Sequence, residues 1–301
     1  MTVSETAKSF FENDPAAAKI PELTLATGAK IPQFGYGTYK VPPEQATDLV
    51  RSALQLGYRH IDTAQMYHNE AQVAAALHEA MDAGVKRADL FVTTKLNNDF
   101  HEPEDAHRAF DKSLDDMGLD YVDLFLIHWP VPKLYDGRYD RTWQAMVEIF
   151  KSGRAKAIGV SNFEAHHLER IIDATDFVPH VNQIQVHPYF REDALREYCR
   201  KLGIVVEAWA PLSRGDIVSD ELVVAQAERL ERTPAQVVLR WALERGDVIF
   251  PKTTSPQRMQ ENLQIFDFEL DQAAVDALNS LDKGEEGRTG SHPDEANFLG
   301  R

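Results

Sequence analysis

The chain of 301 residues is 43% apolar and 27% charged, enough to bury a sizeable core as one large barrel or two ordinary domains. Its net charge of −16 argues against a nucleic-acid or anionic-membrane surface, so an anionic ligand must meet a local cluster of cations. A single cysteine, Cys199, excludes an intrachain disulfide and cysteine-paired zinc sites and fits a reducing cytoplasm. Residues 1–20 contain no basic segment leading into an apolar run, and no window approaches a membrane span. A flexible polar leader on a soluble protein is expected there.

Leu23-Thr24-Leu25 and Ile31-Pro32, around Gly28, predict a short β-hairpin ahead of the main fold. Gln33 to Tyr39 predicts a first inner strand, with Gly35 and Gly37 where backbones crowd. Gly35-Tyr36-Gly37 begins like a dinucleotide fingerprint, but Lys40 stands where the third glycine belongs, and a Rossmann reading is set aside. A unit then recurs. Ala46, Leu49, Val50, Ala53 and Leu54 fall on one helical face, Gly57 caps the helix, and a strand follows at Tyr58. The same order returns around Gly84, Gly118, Gly153, Gly203 and Gly246. Strands beginning near Phe34, Tyr58, Leu90, Val122, Ala155, Val181, Val205 and Val248 are spaced as βα units. That number suits a closed (β/α)8 barrel, while a doubly wound open sheet also fits the periodicity. Asp271 to Leu281 predicts a last amphipathic helix, and residues 283–301 are either a frayed terminus or a loop folded over the barrel mouth.

The stretch from Gly57 to Glu70 places Asp62 and Tyr67 where the chain leaves the core. An aspartate at such a place is most often a turn former. However, the next two strands also end in reactive groups, Lys95 and His128. In a barrel these four side chains converge on one rim. A phenol is a poor acid at neutral pH, and a neighbouring ammonium would lower its pKa, which gives Lys95 a role beside Tyr67. Asp62 supplies the counter-charge, and His128 can orient a carbonyl oxygen toward the phenol. No hydride source, nucleophilic thiol or metal-ligand spacing accompanies them, so a cofactor must bring the electrons. Phe250 to Asn262 is where it is sought: Ser255-Pro256 predicts a capped helix start flanked by Lys252 and Arg258, a candidate phosphate site or simply a solvated helix end. Ser161, Asn162, Gln183 and Trp209 end other strands and add hydroxyl, amide and ring surface to the same rim.

Gly57–Ala64 with Tyr67, Thr93–Leu96, Leu126–Pro130, Gly159–Phe163, Asn182–Pro188, and Pro251-Lys252 with Arg258 and Asn262 together resemble the aldo-keto reductases. Glu207–Leu212 and Ser291–Glu295 are similar to the bacterial 2,5-diketo-gluconate reductases of that family. The resemblance implies a single (β/α)8 barrel over residues 21–301 with the N-terminal hairpin and with the tail from residue 283 over its mouth. It implies a cytoplasmic monomer that uses NADPH to reduce aldehydes or ketones, keto sugars included. Asp62, Tyr67, Lys95 and His128 would be catalytic, with Tyr67 the proton donor. Ser161, Asn162 and Gln183 would hold the carboxamide and Trp209 the nicotinamide. Lys252, Thr253 and Arg258 would lie near the 2′-phosphate and Asn262 near the adenine, with Leu212, Ser213, Thr254 and Glu261 as further cofactor contacts. Tyr39, Asn97, His128 and Trp129 would face the substrate. Many relatives carry tryptophan where Asn97 stands, so one wall of the pocket is expected to be more open and polar. Two rivals remain at this stage: a barrel lyase using Lys95 as a Schiff base, and a cofactor-sensing binding subunit.

Overall fold

The computed structural model describes residues 20–300; the expected leader lies outside them except for Ile20. The hairpin forms as β1 (Glu22–Thr24) and β2 (Lys30–Pro32), with Leu23 opposite Ile31. Eight parallel strands follow: β3 (Tyr36–Gly37), β4 (His60–Asp62), β5 (Phe91–Leu96), β6 (Val122–Ile127), β7 (Ala155–Ser161), β8 (Val181–Gln185), β9 (Val205–Trp209) and β10 (Val248–Ile249). They pair in sequence order. The ends meet, because Phe34 bridges Ile249, Gly35 N donates to Ile249 O at 2.8 Å, and Ile249 N donates to Gln33 O at 3.0 Å. Closure removes the open-sheet alternative and joins the two ends of the eight-stranded sheet.

Helices α1 (Pro43–Gln55), α2 (Glu70–Asp82), α3 (Pro103–Met117), α4 (Tyr139–Lys151), α5 (Ala165–Thr175) and α6 (Asp193–Lys201) alternate with the strands. α7 (Glu221–Arg229) and α8 (Pro234–Glu244) both follow β9, and α9 (Pro256–Asn262) and α10 (Gln272–Asn279) follow β10. α7 was not anticipated; it belongs to a long excursion after β9 that breaks the helix, glycine, strand order. None of these helices is long and apolar enough to cross a membrane.

The period of two along each strand sorts the core into two bodies. Outward residues such as Ile61, Val92, Phe125, Ile158 and Ala208 pack under the helices. Inward residues Phe91, Leu124, Leu126, Ala157, Val181 and Val248 fill the barrel, and Leu25 and Ile31 of the hairpin region plug its amino end. Glycines stand where two backbones approach: a Cβ on Gly35 would lie 2.8 Å from the His60 carbonyl, and one on Gly37 would lie 2.6 Å from the Phe250 carbonyl. Gly159, which faces the barrel interior, is the most crowded of the three, since its Cβ would fall 2.3 Å from Val181 O and 2.8 Å from Leu126 Cδ2. Gly159→Ala is therefore expected to destabilise the protein by about 1–3 kcal/mol, as overpacking does. A urea midpoint equal to that of the parent would show that β7 and β8 separate freely.

Candidate active site

Asp62 is the last residue of β4, Lys95 the fifth of β5, and His128 the first beyond β6, so three adjacent strands deliver them to the carboxyl mouth. Tyr67 ends a short 3-10 turn, Gln65–Tyr67, in the loop after β4. Asn69 then precedes α2, and its amide holds Thr38 O at 3.1 Å and Val41 O at 3.2 Å, fixing that loop against the loop after β3.

Lys95 has no solvent exposure, and its Nζ donates to Asp62 Oδ1 and Oδ2, each at 2.8 Å, and to Thr63 O at 2.9 Å. Three donors are thereby used, and the Tyr67 hydroxyl stands at the longer distance of 3.5 Å. The expected lowering of the Tyr67 pKa by Lys95 does not hold in the ligand-free protein. Burial, and then the Asp62 carboxylate and Tyr39, hold the phenol well above its ordinary value. Tyr67 is accordingly a protonated donor throughout the neutral range. The His128 ring stands edge-on to Tyr67 with centroids 5.6 Å apart. Burial and the nearby Lys95 keep it a neutral imidazole, and its buried Nδ1 has no partner among the described residues.

The remaining rim residues bind one another. Asn162, at φ +63°, donates from Nδ2 to His128 O at 2.9 Å and to Ser161 Oγ at 3.0 Å, and its Oδ1 accepts the Trp209 indole N–H at 2.8 Å. Ser161 Oγ donates to Gln183 O at 2.9 Å. Ser213 is buried at φ +47° in the turn after β9, with Leu212 half-buried beside it. Thr253 O accepts from the Tyr36 hydroxyl at 2.8 Å, and Ser255 caps α9 by accepting Arg258 N at 3.3 Å. Thr254, Lys252 and Arg258 are exposed, and neither cation has a carboxylate partner among the described residues. Glu261 accepts the Thr233 hydroxyl at 2.9 Å, tying α9 to α8, and Asn262 is buried at the end of α9.

The tail crosses the mouth. Gln185 accepts Gly290 N at 3.0 Å, the Phe298 ring meets Trp129 at 5.3 Å, and Asn97 and Asn98 each donate at 3.1 Å to Gly300 O and Phe298 O. The expected open, polar wall at Asn97 is thus absent. Asn97 is 4% exposed and its side chain is covered by the end of the chain. Tyr39, half exposed, and Trp129 remain as walls of the entrance, with the Tyr39 ring 5.2 Å from Tyr67.

Sequence reasoning missed a layer beneath the rim. Gln183 donates from Nε2 to Asp62 Oδ2 at 2.9 Å and to Glu207 Oε2 at 2.8 Å, so its amide bridges two buried carboxyls. His60 lies under Asp62, with Nε2 3.7 Å from Glu207 Oε1. These two do not form an ion pair at neutral pH, because burial lowers His60 to about 4, and burial and then Asp62 raise Glu207 to about 8. Counting back by two from Asp62 and Trp209, along inward strand positions, would have found both.

The aldo/keto reductase family model matches residues 31–283. The chain is 42% identical over 277 residues to glyoxal reductase of Bacillus subtilis, covering 92% of this chain and 97% of that protein. It is 42% identical over 281 residues to morphine 6-dehydrogenase of Pseudomonas putida, covering 89% and 93%. Among solved structures, the Gox0644 D53A mutant in complex with NADPH superposes with a TM-score of 0.87 at 43% identity, covering 93% of this chain and 99% of that one. Fold and site define an oxidoreductase built on a closed barrel. The chain belongs to the aldo/keto reductase family.

Glu207 carries a test of the buried layer. A free glutamate releases its proton near 4.5, whereas the folded chain keeps this one to about 8. Between those values folding retains a proton that the unfolded chain has lost, so Glu207 destabilises the fold increasingly as pH rises and by a constant amount above about 8. Glu207→Gln should raise the melting temperature little at pH 5 and progressively more toward pH 8, the difference reaching a few kcal/mol at about 1.4 kcal/mol per pKa unit. A gain independent of pH would contradict a neutral Glu207.

Proposed function

We propose that the protein reduces aldehydes or ketones to alcohols with NADPH, and that Tyr67 gives the proton. The observation that carries the reading is the Asp62–Lys95 pair buried beside a phenol that stays protonated. NADPH would supply the hydride to the carbonyl carbon. The chain supports such a group: Lys252 and Arg258 are cations without carboxylate partners among the described residues, and a 2′-phosphate would need them. Ser161, Asn162 and the exposed face of Trp209 lie at the rim, suited to a carboxamide and a flat ring. Gln183 would have to leave Asp62 or Glu207 to donate there, so its part is first to orient the carboxyls.

The carbonyl oxygen would sit between Tyr67 and the neutral His128, which as a donor polarises it without a charge of its own. As negative charge grows on that oxygen, the Tyr67 hydroxyl transfers its proton, and the fixed Lys95 ammonium, 3.5 Å away, stabilises the phenolate left behind. A lysine held by three acceptors and kept from solvent is poorly placed to attack a carbonyl, which disfavours a Schiff base. The substrate reading covers short dicarbonyls, by likeness to glyoxal reductase, and keto sugars, both small enough for an entrance between Tyr39, Trp129 and the tail.

Tyr67→Phe should fold and bind NADPH as the parent does, yet lose turnover by at least about 100-fold, the usual contribution of a positioned acid. Stopped-flow oxidation of NADPH with a panel of aldehydes measures this, and unchanged turnover would remove Tyr67 from the mechanism. Arg258→Ala should weaken NADPH by about tenfold or more and NADH far less, since a charge-assisted contact contributes about 1.5–3 kcal/mol. Equal weakening of the two nucleotides, read by fluorescence titration, would place the 2′-phosphate elsewhere.

A further inference from the structure

Two histidines and a carboxylate meet where the tail passes the start of α5. His166 and His167 lie in its first turn, and Asp294 in the short turn Pro293–Glu295. Asp294 Oδ1 is 2.9 Å from His166 Nε2 and 3.1 Å from His167 Nε2, and the donor atoms all lie within 4.8 Å of one another. The imidazole centroids are only 4.0 Å apart, so consecutive residues present their edges to the same carboxylate. His167 is buried, with the rings of Tyr139 and Phe163 edge-on to it at 5.3 and 5.7 Å, which fixes where its Nε2 points. Arg170, on the same helix, pairs with Asp140 at 2.8 Å.

We propose that His166, His167 and Asp294 form a site for a divalent cation of the zinc class, which fastens the C-terminal tail to α5. Two imidazoles and one carboxylate are a donor set that such ions favour over magnesium or calcium, and a fourth position is left for water. Around a tetrahedral zinc, ligand atoms stand about 3.3 Å apart, close to the two separations of Asp294 Oδ1 from the imidazole nitrogens. Ligation has one local consequence. His167 Nδ1 now accepts Glu164 N at 3.1 Å, so its proton is on Nε2. Binding through Nε2 shifts that proton to Nδ1 and gives up this capping bond, whereas His166 has no such conflict. Beyond Asp294 the tail carries Phe298 to Trp129 and Gly300 to Asn97, and a cation here would hold that cover in place.

The full chain, stripped with a chelator and dialysed, is titrated with zinc chloride against a chromophoric competitor. One equivalent should bind, and His166→Ala and Asp294→Asn should each weaken it at least tenfold. His166 is exposed and Asp294 half-buried, so the metal-free His166→Ala variant should match the parent in circular dichroism and melting. Zinc should slow proteolytic cleavage of the tail several-fold in the parent and not in either variant. The chain has 11 histidines, so scattered weak uptake is the alternative. Equal affinity in the parent and both variants, or no stoichiometric uptake, would overturn the proposal.

Discussion

Everything at the mouth depends on one ammonium being kept away from water. Lys95 lies in a barrel filled with side chains, and an uncompensated charge there would be intolerable. Asp62 and the Thr63 carbonyl compensate it with three bonds of 2.8 to 2.9 Å. Removing either partner of such a buried pair typically costs about 3–5 kcal/mol, because the survivor is stranded. Rigidity follows from the same bonds. These bonds hold the cation 3.5 Å from the Tyr67 hydroxyl. The resting phenol, dominated by burial, stays protonated.

The pair is in turn held by what lies below and behind it. Gln183 links Asp62 to Glu207, Glu207 approaches His60, and the His60 ring reaches Thr93 Oγ1 and Pro32 O, each at 3.2 Å. Since a carbonyl can only accept, His60 carries its proton on Nδ1. The outer face of β5 is braced as well, with Thr94 Oγ1 donating to the buried Glu70 at 2.6 Å. Polar groups thus run from the mouth toward the hairpin plug through a barrel otherwise filled with aliphatic side chains. Strain gathers at the other end: Lys40, His68, Val131, Asn162 and Ala210 all have positive φ, and each lies in a loop leaving a strand at the mouth. For the β-branched Val131 that conformation is an outlier, held by the packing around it.

The barrel was legible because its grammar is local. A helical face, a capping glycine and a short apolar strand can each be read within about fifteen residues, and the ends of β4, β5 and β6 bring Asp62, Tyr67, Lys95 and His128 to one mouth. Ser255 and Pro256 likewise announced the start of α9. What could not be read depends on contacts between distant segments. Asn97 looks like an opened wall until Gly300, some two hundred residues later, is found against it. The phenol looks ready for activation by Lys95 until the lysine's donors are counted. His60 and Glu207 look like ordinary strand residues until the inward side of every strand is assembled into layers. α7 has no place in the repeating unit and so gave no cue.

The roof of the mouth is made from residues 290–300, far along the sequence from most of the strands they cover. A chain ending near residue 285 would possess the closed cylinder, the stranded cation's partner and the phenol, yet its reaction chamber would stand open to solvent, with the Trp129 ring and the Asn97 and Asn98 amides bare. Chemistry and enclosure are therefore separable in this protein. The strands hold the Asp62–Lys95 pair, and the segment from Gly290 to Gly300 covers the mouth above it.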